Sequence, residues 1–110
     1  YRLYAPDHIA AELGNVMWKK ARRSELTPSE AATIADQFAT ACPVTLRPVL
    51  TLLRPAVEIA TRFDRTVYDA LYLAVAISEG VPFVTADQRL HNALTSTSLA
   101  PYIRLLAAIP

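Results

Sequence analysis

The stretch TVYDALYLAVAISEGVPFVTADQRL, residues 66–90, decides how the chain folds. Ten of the eleven residues from Val67 to Ile77 are apolar or aromatic, and Asp69 is the exception. A helix that is apolar nearly all round is a buried one. Thr66 stands where a cap belongs and Gly80 where a helix stops, so the spacing predicts a helix through Glu79. Phe83-Val84-Thr85 then reads as a strand. Asp87 opens a further helix to about Thr95.

Working outward, strands and helices alternate along the whole chain. Leu3-Tyr4-Ala5 is a short strand stopped by Pro6, and Asp7 is placed to cap a helix running to about Arg23. Ile9, Leu13, Val16 and Met17 recur at helical spacing in it. Thr27-Pro28-Ser29-Glu30 is a capping box with proline at the first helical position, opening a helix to about Thr40. Val44-Thr45-Leu46 is a strand. The next helix covers Val49 to Phe63, or starts only near Arg54, because Pro55 suits a first turn. Tyr102 to Leu106 is a last strand. The alternation predicts an α/β fold with a largely parallel sheet covered on both faces, a three-layer α/β/α arrangement.

Composition narrows the function. The chain has 110 residues, enough for one domain. Apolar residues make up 53% and charged residues 19%, so there is ample apolar surface to offset chain entropy and disorder is excluded. A net charge of +1 excludes a strongly basic nucleic-acid coat and an acidic tail, though not a local basic patch. The single cysteine, Cys42, makes neither an internal disulfide nor a cysteine zinc site, and reads as a buried structural thiol in a reducing, cytoplasmic setting. No segment has the roughly 18–20 apolar residues of a membrane span. Tyr1 to Pro6 lacks the apolar region of a secretory signal. Gly14 and Gly80 stand alone, so there is no glycine-rich phosphate loop.

The carboxylates carry the chemistry. Burying Asp69 is costly unless it is paired, hydrogen-bonded or bound to a metal. Its other reading is a first-turn carboxylate interacting with the helix N-terminus. Asp87 lies just past the carboxyl end of a strand, where ligands of open α/β sheets gather. It also reads as a helix cap. Thr85, at the same edge, is placed to orient a water or a carboxylate, or is an ordinary strand threonine. Glu12, Asn15 and Lys19 share a helix face, which alone reads as a solvated stripe. Converging at one sheet edge, Glu12, Asp69 and Asp87 would suit Mg²⁺ or Mn²⁺. Lys19-Lys20-Ala21-Arg22-Arg23 is a basic cluster at a helix end. It suits either RNA phosphates or the helix C-terminus, with Arg22 and Arg23 the candidates for RNA. His8 and His91 have no nucleophile to serve and read as surface residues. Met17, Trp18, Tyr68 and Tyr72 read as core or interface.

Three motifs, APDHIAAELGNVMWKK (5–20), TVYDALYLAVAISEG (66–80) and VPFVTADQRL (81–90), resemble in order and spacing the PIN-domain ribonucleases of the VapC toxin type. The resemblance spans essentially the whole chain, 1–110, as one PIN-like domain. It implies a Mg²⁺- or Mn²⁺-dependent endoribonuclease of a toxin–antitoxin system. Glu12, Asp69 and Asp87 are then the acidic metal-site residues, and Thr85 and Asn15 supporting positions. It also implies an RNA substrate such as tRNA, a cognate antitoxin that blocks the site, and a homodimer. PIN domains open with a further strand, ending in an Asp, and a helix. The expectation is that this first strand and its metal-binding Asp are absent from the present numbering, and that the strand belongs between Leu3–Ala5 and Phe83–Thr85. It lies outside the numbering, is supplied by another chain, or is lost in an inactive derivative, and the first is favoured. The alternative to an enzyme is therefore a catalytically inactive module that binds the antitoxin or dimerises.

Overall fold

The computed structural model describes residues 2–109. It divides into two compact units, Tyr1–Pro48 and Val49–Pro110, each containing one pair of parallel strands. The α/β class and the parallel pairing expected from the alternation are both present.

The first unit runs β1 (Tyr4–Pro6), α1 (Ile9–Arg22), α2 (Pro28–Thr40) and β2 (Thr45–Arg47). β1 pairs with β2 from Tyr4 opposite Thr45 to Pro6 opposite Arg47. Pro6 does not stop the strand but ends it. The Thr45 N–H donates to the Leu3 carbonyl and the Asp7 N–H to the Arg47 carbonyl. Odd-numbered residues of β1 thus face β2, and the donorless nitrogen of Pro6 points away, where a strand tolerates proline. Asp7 lies in the turn after β1, its N–H donating to the Arg47 carbonyl at 2.8 Å. α1 starts later, after His8, which makes no side-chain cap. α2 begins as expected: the Thr27 hydroxyl accepts from the Glu30 N–H, and the Glu30 carboxylate accepts from the Thr27 N–H. α1 and α2 pack on each other and leave an apolar groove lined by Leu13, Met17, Phe38 and Cys42. Cys42 is half-buried rather than buried, its thiol donating to the Val44 carbonyl.

The second unit runs α3 (Val49–Phe63), α4 (Val67–Glu79), β3 (Phe83–Thr85), α5 (Gln88–Leu94) and β4 (Ile103–Leu105), with short 3-10 turns at Ala100–Tyr102 and Leu106–Ala108. α3 begins at Val49 rather than near Arg54, and carries Pro55 in its interior. An interior proline costs about 3 kcal/mol in a helix. Leu52, Ala56 and Ile59, one apolar row at spacings of four and three, are buried and offset that cost. α4 is the core helix: Ala70, Leu71, Leu73, Ala74, Val75 and Ala76 are all buried, each large aliphatic side chain contributing roughly 1.5–3 kcal/mol. Its ends are those expected. The Thr66 hydroxyl accepts from the Asp69 N–H, and Gly80 turns out of the helix at φ 67°, which glycine adopts at no steric cost. β3 pairs in parallel with β4, Phe83 opposite Ile103 and Thr85 opposite Leu105, and α5 crosses between them. Among the described residues β1 and β3 belong to separate sheets. No helix of the described residues is long and apolar enough to cross a membrane.

Candidate functional site

Asp69 lies in the first turn of α4, half-buried, and its N–H donates to the Thr66 hydroxyl at 3.2 Å. The helix is apolar because it packs on both α3 and β3, so this carboxylate is set at the rim of a buried surface. Its contact with β3 is fixed one turn further on. The Tyr72 ring stacks on Phe83 with centroids 5.1 Å apart and planes 14° from parallel. Because Tyr72, seven residues before the end of α4, meets Phe83 at the start of β3, the chain turns back after Gly80. Moving from Tyr72 back to Asp69, and from Phe83 on to Thr85 and Asp87, therefore leads the same way. Asp69 and Asp87 lie at one end of the second unit, the end where β3 finishes.

Asp87 caps α5. Its Oδ1 accepts from the Arg89 N–H at 3.0 Å and the Leu90 N–H at 3.1 Å. Both bonds fall on Oδ1, and among the described residues none falls on Oδ2. The Asp87 N–H donates to the Thr85 hydroxyl at 3.0 Å. Among the described residues of the unit, Thr85 is the buried polar side chain, 8% exposed. The cap reading and the ligand reading of Asp87 are thus compatible: one oxygen holds the helix while the carboxylate as a whole stays exposed.

Glu12 lies in the first turn of α1, exposed, with His8 Nε2 3.4 Å from its Oε1. That contact, at i and i+4, was missed from sequence, where His8 reads as an isolated surface residue. His8 is in fact half-buried, as is His91. Asn15 is exposed one turn beyond Glu12. At the far end of α1, Arg22 and Arg23 are exposed and, with Lys19, line a hollow of about 360 Å³. Among the described residues none of these three cations has an ion-pair partner. Trp18 and Tyr68 are not core residues, being 54% and 67% exposed.

Asp69 and Asp87 are carboxylates, the hard oxygen donors that Mg²⁺ and Mn²⁺ take, and the unengaged Oδ2 of Asp87 suits such an ion. In kind, the donor set fits a hard divalent cation. Among the described residues no group of three or more His, Cys, Asp or Glu that would hold a metal is gathered.

Comparison with known proteins places these features. A family model described as the PIN domain matches residues 1–93. The chain is also similar to Ribonuclease VapC3 of Pyrobaculum aerophilum, with 34% identity over 91 residues that cover 80% of this chain and 68% of that protein. The carboxylates of α4 and of the β3–α5 junction both fall inside the matched region, and on these grounds the chain belongs to the PIN-domain family.

Proposed function

We propose that the chain acts, as one PIN-like domain, as an endoribonuclease toxin that depends on Mg²⁺ or Mn²⁺. The observation that carries this reading is the pair Asp69 and Asp87 at the strand-end of the second unit, in a chain of this family with a named ribonuclease relative. Asp69 and Asp87 would hold the ion. When bound, such an ion polarises the phosphodiester and stabilises the departing oxygen. The protein's own part is positioning. Thr85 holds the Asp87 backbone through its hydroxyl, and Asp87 in turn anchors α5. Asn15 offers an amide donor to a phosphate oxygen, and Arg22 and Arg23 hold the RNA backbone by charge. The substrate is structured RNA such as tRNA, the partners are a cognate antitoxin and a second copy of the chain, and the setting is cytoplasmic. Asp69→Asn removes one charge and keeps the shape. It is expected to lower Mg²⁺-dependent cleavage of RNA by about 100-fold or more, on the order of 3 kcal/mol in the barrier, with an unchanged circular dichroism spectrum. Undiminished cleavage by a clean preparation refutes the assignment.

The alternative is an inactive module that binds the antitoxin or dimerises. A calorimetric Mn²⁺ titration separates the two. Saturable binding that Asp87→Asn abolishes supports the nuclease, and no binding supports the module.

A further inference from the structure

We propose that Tyr68 determines which nucleotide the site accepts: its ring stacks on the base flanking the scissile phosphate and favours a purine there. The proposal rests on the ribonuclease reading and deepens it by naming a specificity-determining residue and the base it selects.

The first observation is placement along α4. Tyr68 and Tyr72 stand one turn apart on nearly the same side of the helix, about 40° around it and about 6 Å along it. Tyr72 stacks on Phe83 at the start of β3, so this side of α4 faces the strand. Going back from Tyr72 to Tyr68 follows β3 forward from Phe83 to Thr85, about 7 Å further on. Tyr68 is therefore level with the end of β3, just where Asp87 opens α5.

The second observation is exposure. The two tyrosines share a helix side and differ in surroundings. Tyr72 is half-buried against the Phe83 ring, whereas Tyr68 is 67% exposed. At the level of Tyr68 the strand offers Thr85, a small side chain that is itself buried. The Tyr68 ring stays open to solvent at the strand-end of the unit.

The third observation is its neighbour in the chain. Tyr68 directly precedes Asp69. Helical geometry sets Asp69 about 60° to the other side of the Tyr72 direction, so Tyr68 and Asp69 bracket the line toward β3. The Thr66 hydroxyl accepts from the Asp69 N–H at 3.2 Å and pins this turn, which fixes the backbone under ring and carboxylate together. With the scissile phosphate at the Asp69–Asp87 end of the unit, the neighbouring base comes to the side where Tyr68 stands. A flat, open aromatic ring is a surface on which bases stack. A two-ring purine covers more of that surface than a one-ring pyrimidine, and stacking strength of this kind gives a base preference without hydrogen-bond readout.

The test uses the whole chain with Mg²⁺ and an oligoribonucleotide randomised in sequence, the cut positions being read by sequencing the products. The wild type is expected to cut beside purines about 5-fold or more over pyrimidines, on one side of the cut. Tyr68→Phe keeps the ring and should keep the preference. Tyr68→Leu should lose it, through a raised KM for purine sites rather than a changed kcat, with an unchanged circular dichroism spectrum. Fluorine NMR of the fluorotyrosine-labelled chain gives a second readout without cleavage. Among the five tyrosines, Tyr68→Phe deletes and so assigns one resonance. In EDTA at low salt that resonance should shift more with an all-purine oligonucleotide than with an all-pyrimidine one. Should Tyr68→Leu fail to fold, this wild-type signal still decides. If RNA is cleaved but Tyr68→Leu has the wild-type base preference, or the Tyr68 resonance does not move, the stacking role is wrong and the ribonuclease reading stands. If the wild type cleaves no RNA with Mg²⁺ or Mn²⁺, the ribonuclease reading falls and this proposal falls with it.

Discussion

Asp87 has two tasks that substitution can separate. As the cap of α5 it accepts two backbone N–H groups on Oδ1, and as a ligand it would offer its charge. Asparagine caps about as well as aspartate, whereas alanine forfeits on the order of 1 kcal/mol. Asp87→Asn should therefore keep the urea midpoint near that of the wild type and lose cleavage. Asp87→Ala should lose both. An Asp87→Asn chain that still cleaves RNA at the original rate would leave Asp87 a cap and nothing more. Asp69 is the contrasting case. Its side chain is half-buried at the start of a helix otherwise made of Val, Tyr, Ala, Leu and Ile, and it is the misfit of charge in that sequence that made it legible. Trp18 was not legible in the same way. An aromatic at helical spacing has the same pattern in a core and on a surface.

Among the elements, helix ends were the most legible feature, because capping is local chemistry. Thr27 with Glu30, Thr66, Asp87 and Gly80 all act where their spacing put them. Asp7 did not: the cap position of α1 falls one residue later, on His8. Of the two starts read for α3, Val49 holds and Arg54 does not, since burial of Leu52, Ala56 and Ile59 outweighs a proline's preference for the first turn. The capping box of α2 makes a prediction about pH. The Thr27 backbone N–H, and second its hydroxyl, hold the Glu30 carboxyl below its ordinary value of 4.5. Because the folded value is depressed, the contribution is full above 4.5 and is lost as pH falls through the folded value. Glu30→Gln keeps a hydrogen-bonding group but has no charge to lose. Between pH 6 and pH 3, denaturant midpoints of the variant should fall less than those of the wild type. Equal falls would mean that Glu30 does not contribute.

For the molecule as a whole, strand pairing and the assembly of the site were the least legible. A three-residue strand carries no mark of its partner, and β1–β2 and β3–β4 each form across an intervening helical segment. The α/β class followed from alternation, but sheet order needed the structure. Net charge, by contrast, is read from sequence and sets how RNA would be held. At +1 the chain has almost no overall field, so attraction must come from a local group of cations. Lys19, Arg22 and Arg23 are such a group. If these three cations neutralise three phosphates of a single strand, log K should fall with log salt at a slope of about −2, since each contact contributes about −0.7. Arg22→Gln with Arg23→Gln should reduce the slope to about −0.7 and weaken binding most at low salt, with the two curves converging as salt rises. Anisotropy titrations in EDTA at several salt concentrations measure both slopes. A slope unchanged in the double variant would place the phosphate contacts elsewhere on the chain. A steeper wild-type slope would mean that a wider set of bases joins these three, despite the near-neutral total.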